Sequence, residues 1–276
     1  MEKRMSHIIT HLLRSRYPKG LFLGVILLIS VAPFGSLGSL QAHAASNNAA
    51  SAPLALVFND DNTPAGCDDG CAAAAAHALT NSPWHFAVKF VGPKGVPLTK
   101  QLLQSAAIYV QPGGGDSLDA TYAEIKDYAP LIREYVRSGG RYLGLCMGAF
   151  MAGANPGLNL LTPDDVDGYT PPGGNQDDPI IVNVSWRGHP RQLYFQGGAY
   201  FTGHTTAKDV VLARYIEQGK AQGPVAVMIR PYGKGKVAIS GPHPEAPQAW
   251  FDDSKLPAPP GLNVDLVNDL LDSVMH

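Results

Sequence analysis

Cys146 ends an apolar run, Arg141-Tyr-Leu-Gly-Leu-Cys146-Met-Gly148, with glycines two positions to either side. The Gly-x-nucleophile-x-Gly spacing is that of a strand-to-helix elbow. Its glycines let strand and helix approach, while the central residue sits exposed on a strained turn. A thiol attacks as thiolate, so it needs a base, and the base needs an orienting acceptor. Ninety-seven residues later, after a short apolar run over 236–240, the chain offers Gly241-Pro242-His243-Pro244-Glu245. His243 and Glu245 can fill both roles. The flanking prolines keep His243 out of a helix or strand interior and stiffen its loop. Acyl transfer also needs donors for an oxyanion. A helix starting at Met147 would offer the Met147 amide, and the Gly113-Gly114-Gly115 loop would offer Gly114. Singly, each residue has a plain reading: a core cysteine, a surface-loop histidine, a solvated carboxylate. Only their combination points to chemistry.

Other residues are weaker candidates. Asp60 and Asp61 follow the first apolar run and could bind a substrate ammonium or cap the next helix. Gly113, Gly198 and Tyr200 are candidates to line a substrate pocket. The aromatic and basic residues around them (Trp186, His189, Arg191, Tyr194, Phe201, His204) read more simply as core and surface. Cys67 and Cys71 are close enough in sequence for a local disulfide, which would leave Cys146 as the free thiol. A metal site at Cys67, Cys71 and His77 would lack a fourth ligand. The Asp164–Asp178 run lacks the spacing of a calcium loop and reads as solvated. No metal or cofactor is expected.

The elements that must hold these residues alternate. Leu54–Phe58, His85–Val91, Ala107–Val110 and Arg141–Leu145 read as strands; Ala72–Leu79, Leu98–Ala107 and Leu118–Val136 read as helices, Thr99 capping the second. This predicts an α/β fold, a mostly parallel sheet with helices on both faces. Sites in such sheets form at the carboxyl ends of the strands, where the loops after Phe58, Val110 and Leu145 would meet. The second half reads as shorter strands over 180–184, 192–195 and 200–202, with Ala207–Ile216 a strand or short helix. Pro231-Tyr-Gly-Lys-Gly235 marks a hairpin, and Asn263–Val274 a terminal helix.

The chain has 276 residues, 45% apolar, enough for one large domain over 53–276. Its first 44 residues read differently. Lys3, Arg4, Arg14, Arg16 and Lys19 precede an apolar stretch over 21–31, and Ala42-His43-Ala44 gives a cleavage pattern. This predicts a signal peptide over 1–44, a flexible leader over 45–52, and an exported protein, periplasmic or secreted, with no membrane anchor once cleaved. Taking the prefix's five basic residues and one acidic residue from totals of 21 and 23 leaves 16 and 22, a net charge of −6. That balance argues against a nucleic-acid partner.

Pro112-Gly113-Gly114, Gly144-Leu-Cys146-Met-Gly148 and Gly241-Pro-His243-Pro-Glu245 together resemble the class I, or triad-type, glutamine amidotransferases. Tyr109-Val-Gln-Pro-Gly-Gly-Gly115, Tyr135-Val-Arg-Ser-Gly-Gly140, Leu143-Gly-Leu-Cys146 and Phe195-Gln-Gly-Gly-Ala-Tyr-Phe201 are similar to a narrower group. That group is the amidotransferase-like domain at the N-terminus of eukaryotic biotin–protein ligases, also found free-standing in bacteria. The resemblance implies a flavodoxin-like three-layer αβα sandwich. It also implies Cys146 as nucleophile, His243 as base, Glu245 as orienting acid, and Gly114 and Met147 as oxyanion donors. Amidotransferases pass ammonia to a synthase, and no synthase domain follows here, so a synthase partner is not expected. The expectation is hydrolysis of an amide bond in a small molecule or peptide. The rival expectations are a non-catalytic domain that binds a small ligand or partner protein, and a DJ-1-like peptidase or redox protein whose cysteine is oxidised.

Overall fold

A computed structural model describes residues 51–153, 155–175, 177–217 and 223–276. The expected signal peptide lies outside these residues, as does the leader up to residue 50. The elements run β1 (Leu54–Phe58), α1 (Cys71–Asn81), β2 (Ala87–Val91), α2 (Lys100–Ser105), β3 (Ile108–Gln111), α3 (Leu118–Ile125), α4 (Ala129–Arg137), β4 (Arg141–Leu145) and α5 (Met147–Gly153). They continue with β5 (Val166–Gly168), β6 (Ile180–Trp186), β7 (His189–Phe195), β8 (Ala199–Phe201), β9 (Val210–Tyr215), β10 (Val225–Tyr232), β11 (Gly235–Ser240), α6 (Gln248–Asp253) and α7 (Val264–Met275).

The sheet has a parallel core in the order β2-β1-β3-β4-β11. This is the flavodoxin-like order, with β11 as the fifth parallel strand. Beyond β11 the sheet continues antiparallel through β10, β9, β6 and β7, with β5 and β8 pairing beside β10. Side chains alternate across the parallel strands. Val57, Val110 and Leu143 face α1 and α7, packing on Leu79, Leu270 and Leu271. Leu56, Tyr109 and Tyr142 face α3 to α5, packing on Ile125, Ile132 and Met151. Each such side chain, fully buried, contributes about 1.5–3 kcal/mol of transfer free energy. The two apolar faces therefore dictate the three layers.

Thr99 caps α2 as expected, its side chain accepting from the Leu102 amide. The helix expected over 118–136 is broken. A 3-10 turn at Lys126–Tyr128 separates α3 from α4, and Pro130 sits in the first turn of α4. Proline has no N–H for the Lys126 carbonyl and its ring would strike it, so one straight helix is excluded. The ambiguous 207–216 segment is strand β9. The loop expected over 164–178 contains β5, which pairs with β8. β6 and β7 are longer than expected because Arg187 and Gly188 turn the hairpin with φ of 46° and 85°, the primed geometry that matches strand twist.

α5 is packed hard onto the sheet. A Cβ on Gly144 would overlap the Gly148 carbonyl, and a Cβ on Gly148 would overlap the Gln111 carbonyl. The Gly148 amide also donates to the Pro112 carbonyl at 3.1 Å, tying α5 to the glycine loop. Gly148→Ala is expected to cost about 2 kcal/mol or more, since the clash is with backbone that cannot rotate away. Chemical denaturation of the variant against the parent checks this, and an unchanged midpoint would refute it.

Candidate functional site

Parallel pairing of β4 with β11 sets Leu145 opposite Ser240, so the two strands end together. Cys146 follows one and the His243 loop follows the other. The Cys146 amide donates to the Ser240 carbonyl at 2.8 Å. Cys146 then takes φ 50°, the left-handed region, before α5 begins. That strained turn is the elbow expected from the glycine spacing. Its thiol is buried and donates to the Gln196 carbonyl at 3.6 Å.

The His243 loop is fixed on several sides. The Gly241 amide donates to the Ala226 carbonyl, and the His243 amide to the Tyr194 carbonyl, both at 2.9 Å. Ser240 Oγ donates to the Pro242 carbonyl at 2.7 Å. On the ring itself, His243 Nδ1 meets Glu245 Oε1 at 2.8 Å, with both side chains almost fully buried. Nδ1 donates to the carboxylate, which leaves Nε2 as the ring's remaining polar atom. Burial alone would favour the neutral ring. The Glu245 carboxylate and the Cys146 sulfur outweigh it and push the His243 pKa up to about 10. A protonated imidazole beside the sulfur stabilises thiolate.

The glycine loop and α5 border the same point. A Cβ on Gly114 would meet the Met147 side chain, and one on Gly113 would come within 3.2 Å of His243 Cε1. Among the described residues, neither the Gly114 nor the Met147 amide donates to a main-chain carbonyl. Both are unspent donors beside the elbow.

The remaining candidates are dispersed. Gly198 packs against Gly241 and Phe195, in the turn that brings the Gln196 carbonyl to the thiol. Tyr200 sets its ring edge-on to Tyr169 at 6.2 Å, against the core face shared with α1 and α7. Asp61 Oδ1 accepts from the Ala72 amide at 3.1 Å and so caps α1. Asp60 is wholly buried, with no hydrogen-bond partner for either carboxylate oxygen. This placement does not present Asp60 to a substrate. Cys67 and Cys71 are disulfide-bonded, with Cα atoms 5.7 Å apart, which removes them as thiolate ligands for a metal. Sequence reasoning missed Gln196 and Trp250. Trp250 sets its ring 5.1 Å from His243, edge to face. The glycines after Gln196 hinted at a close approach, whereas nothing in sequence tied Trp250 to His243. A cleft of about 470 Å³ between α2 and α4 contains none of the three central residues and lies at the opposite edge of the sheet, where β4 begins.

Fold and elbow define an α/β protein with an elbow cysteine at the carboxyl end of a parallel strand. The family model described as "Biotin-protein ligase, N terminal" matches residues 55–159 and 179–271, and the chain belongs to that family. A biotin–protein ligase of Schizosaccharomyces pombe is 30% identical over 165 residues, 51% of this chain and 26% of the ligase. An uncharacterized protein of Chlamydia muridarum is 28% identical over 164 residues, 51% of this chain and 61% of that protein. The matches thus span about a quarter of the first relative and under two thirds of the second. Among solved structures, a glutamine amidotransferase from Methylobacillus flagellatus has a TM-score of 0.49 at 13% identity. That alignment covers 81% of this chain and 92% of the other.

Asp60 offers a pH readout of the loop behind the site. Burial, then the nearby Glu124 carboxylate, raises its pKa from 3.8 to about 7. The unfolded chain ionises Asp60 near 3.8, while the folded chain does so near 7. Stability is therefore lost as pH rises between these values and stays lower above them. Asp60→Asn is expected to raise the melting temperature at pH 8 by roughly 3–6 °C, a gain of about 1–2 kcal/mol, and to leave it almost unchanged at pH 4. Thermal unfolding at both pH values tests this, and a loss at pH 8 would contradict it.

Proposed function

We propose that this protein is an exported Cys-His-Glu hydrolase that cleaves an amide bond through an acyl-thioester. One observation carries the reading. A buried imidazole has a carboxylate at 2.8 Å on one nitrogen and an elbow cysteine near enough to raise its pKa. In the proposed cycle the Cys146 thiolate, its proton already held by His243, bonds to the substrate carbonyl carbon. The Gly114 and Met147 amides receive the oxyanion. The carbon–nitrogen bond breaks as His243 returns the proton to the leaving amine. Water, deprotonated by His243, then attacks the thioester. The carbon–sulfur bond breaks, the carboxylic acid departs, and the thiolate and protonated His243 are restored. Glu245 keeps Nδ1 protonated and the ring oriented throughout.

The contact between His243 and Glu245 favours this reading over a cysteine that works by being oxidised. Export is supported by the signal-like prefix and by a disulfide at Cys67–Cys71. Biotin ligation is not carried over from the yeast relative, because the match spans 26% of that ligase. The substrate is a small-molecule or peptide amide. Release of ammonia or amine from a panel of primary amides, glutamine and capped peptides provides the test. Hydrolysis by the parent should fall to background in Cys146→Ala and by about 10²–10⁴-fold in His243→Ala. A Cys146→Ala chain as active as its parent would contradict the assignment.

A further inference from the structure

The disulfide is part of the wall behind His243. Cys71 Sγ lies 2.9 Å, and His243 Cε1 3.2 Å, from the point where a Cβ on Gly113 would stand. Sulfur and imidazole therefore border the same glycine. A second connection runs through α6. The Trp250 indole N–H donates to the Asp69 carbonyl at 2.8 Å, inside the loop that the disulfide closes. The Trp250 ring meets His243 edge to face at 5.1 Å and Tyr194 at 5.4 Å. Cys71, Ala74, Tyr194, Ala246, Trp250 and Phe251 form one buried cluster. Tyr194 in turn holds the His243 amide through its carbonyl.

A hydrogen bond at Nδ1 alone leaves an imidazole free to rock, and a ring packed against it limits that motion. Trp250 supplies such packing. Its own position depends on the Asp69 carbonyl, whose freedom is restricted by a short covalent loop. We propose that Trp250 is a positioning residue for His243 and that the Cys67–Cys71 loop is what fixes Trp250, making the reactivity of Cys146 depend on that disulfide. The inference rests on the reading of His243 as the base for Cys146. Reduction would be by a dithiol. Its two sulfurs join in a disulfide as Cys67 and Cys71 become two thiols, and the Asp69 loop opens. In an oxidising compartment the braced form is the resting one.

The chain has three cysteines, so Cys146 is the single free thiol both in the parent and in a Cys67→Ser/Cys71→Ser double variant. Its alkylation by iodoacetamide can be followed across pH in the full chain without added reductant. His243→Ala, Trp250→Ala, Trp250→Phe and the double variant are compared with the parent. The expected result is slow labelling in His243→Ala. In Trp250→Ala and the double variant, labelling should be about tenfold slower at pH 7, with the half-maximal rate moved to higher pH. Trp250→Phe keeps a ring but loses the N–H to Asp69, and should fall between. If His243→Ala is slow while the double variant and both Trp250 variants keep the parent's pH profile, the brace is refuted and the base assignment stands. A lowered melting temperature with that unchanged profile counts the same way, as structure without positioning. If His243→Ala labels like the parent, the base assignment fails and takes the brace with it.

Discussion

The parallel pairing of β4 and β11 is the constraint on which the site depends. The two strands are far apart in sequence, yet their register sets Leu145 beside Ser240, and the chain leaves both at the same edge. From there Cys146 needs one residue, and His243 three, to face each other. A slip of one residue would turn every β11 side chain to the opposite face and move the histidine loop with it. The register is held by the core itself: Leu143 and Ala238 on one face, Tyr142 and Val237 on the other.

On that frame sits a group of polar atoms that burial ought to penalise. His243 and Glu245 are nearly inaccessible, and one Glu245 oxygen has no hydrogen-bond partner. Taking such a pair out of water costs several kcal/mol per charge before mutual attraction offsets it. The elbow adds backbone strain at Cys146, of order 1–3 kcal/mol. Packing on both faces of the sheet supplies the excess stability that tolerates these costs. Strained turns and strongly shifted titrating groups concentrate where chemistry is done.

Much of this arrangement was legible in sequence because it follows from local rules. Gly144 and Gly148 announce the close approach that the elbow requires. Thr99 announces a cap, and Pro231-Tyr-Gly-Lys-Gly235 a hairpin. Alternating strand and helix signals gave the parallel half of the sheet. What stayed hidden depends on longer-range packing or on competition between rules. The periodicity over 118–136 spoke for one helix and Pro130 against it, and the steric term won. Asp60 and Asp61 are adjacent and chemically alike. One caps α1, the other is walled in near Glu124, and no local pattern separates them. Trp250 reaches His243 only through the folded path of α6, and the Gln196 carbonyl reaches Cys146 only through the turn after β7.

The central claim is that Cys146, His243 and Glu245 form one proton-sharing unit. Nuclear magnetic resonance of the His243 ring nitrogens, followed through a pH titration, reads that unit most directly. The account predicts an imidazole still protonated well above its ordinary range, with Nδ1–H held in a strong hydrogen bond. It also predicts a large fall in apparent pKa in Cys146→Ala and in Glu245→Gln. A ring that titrates near 6.5, unmoved by either substitution, would contradict it.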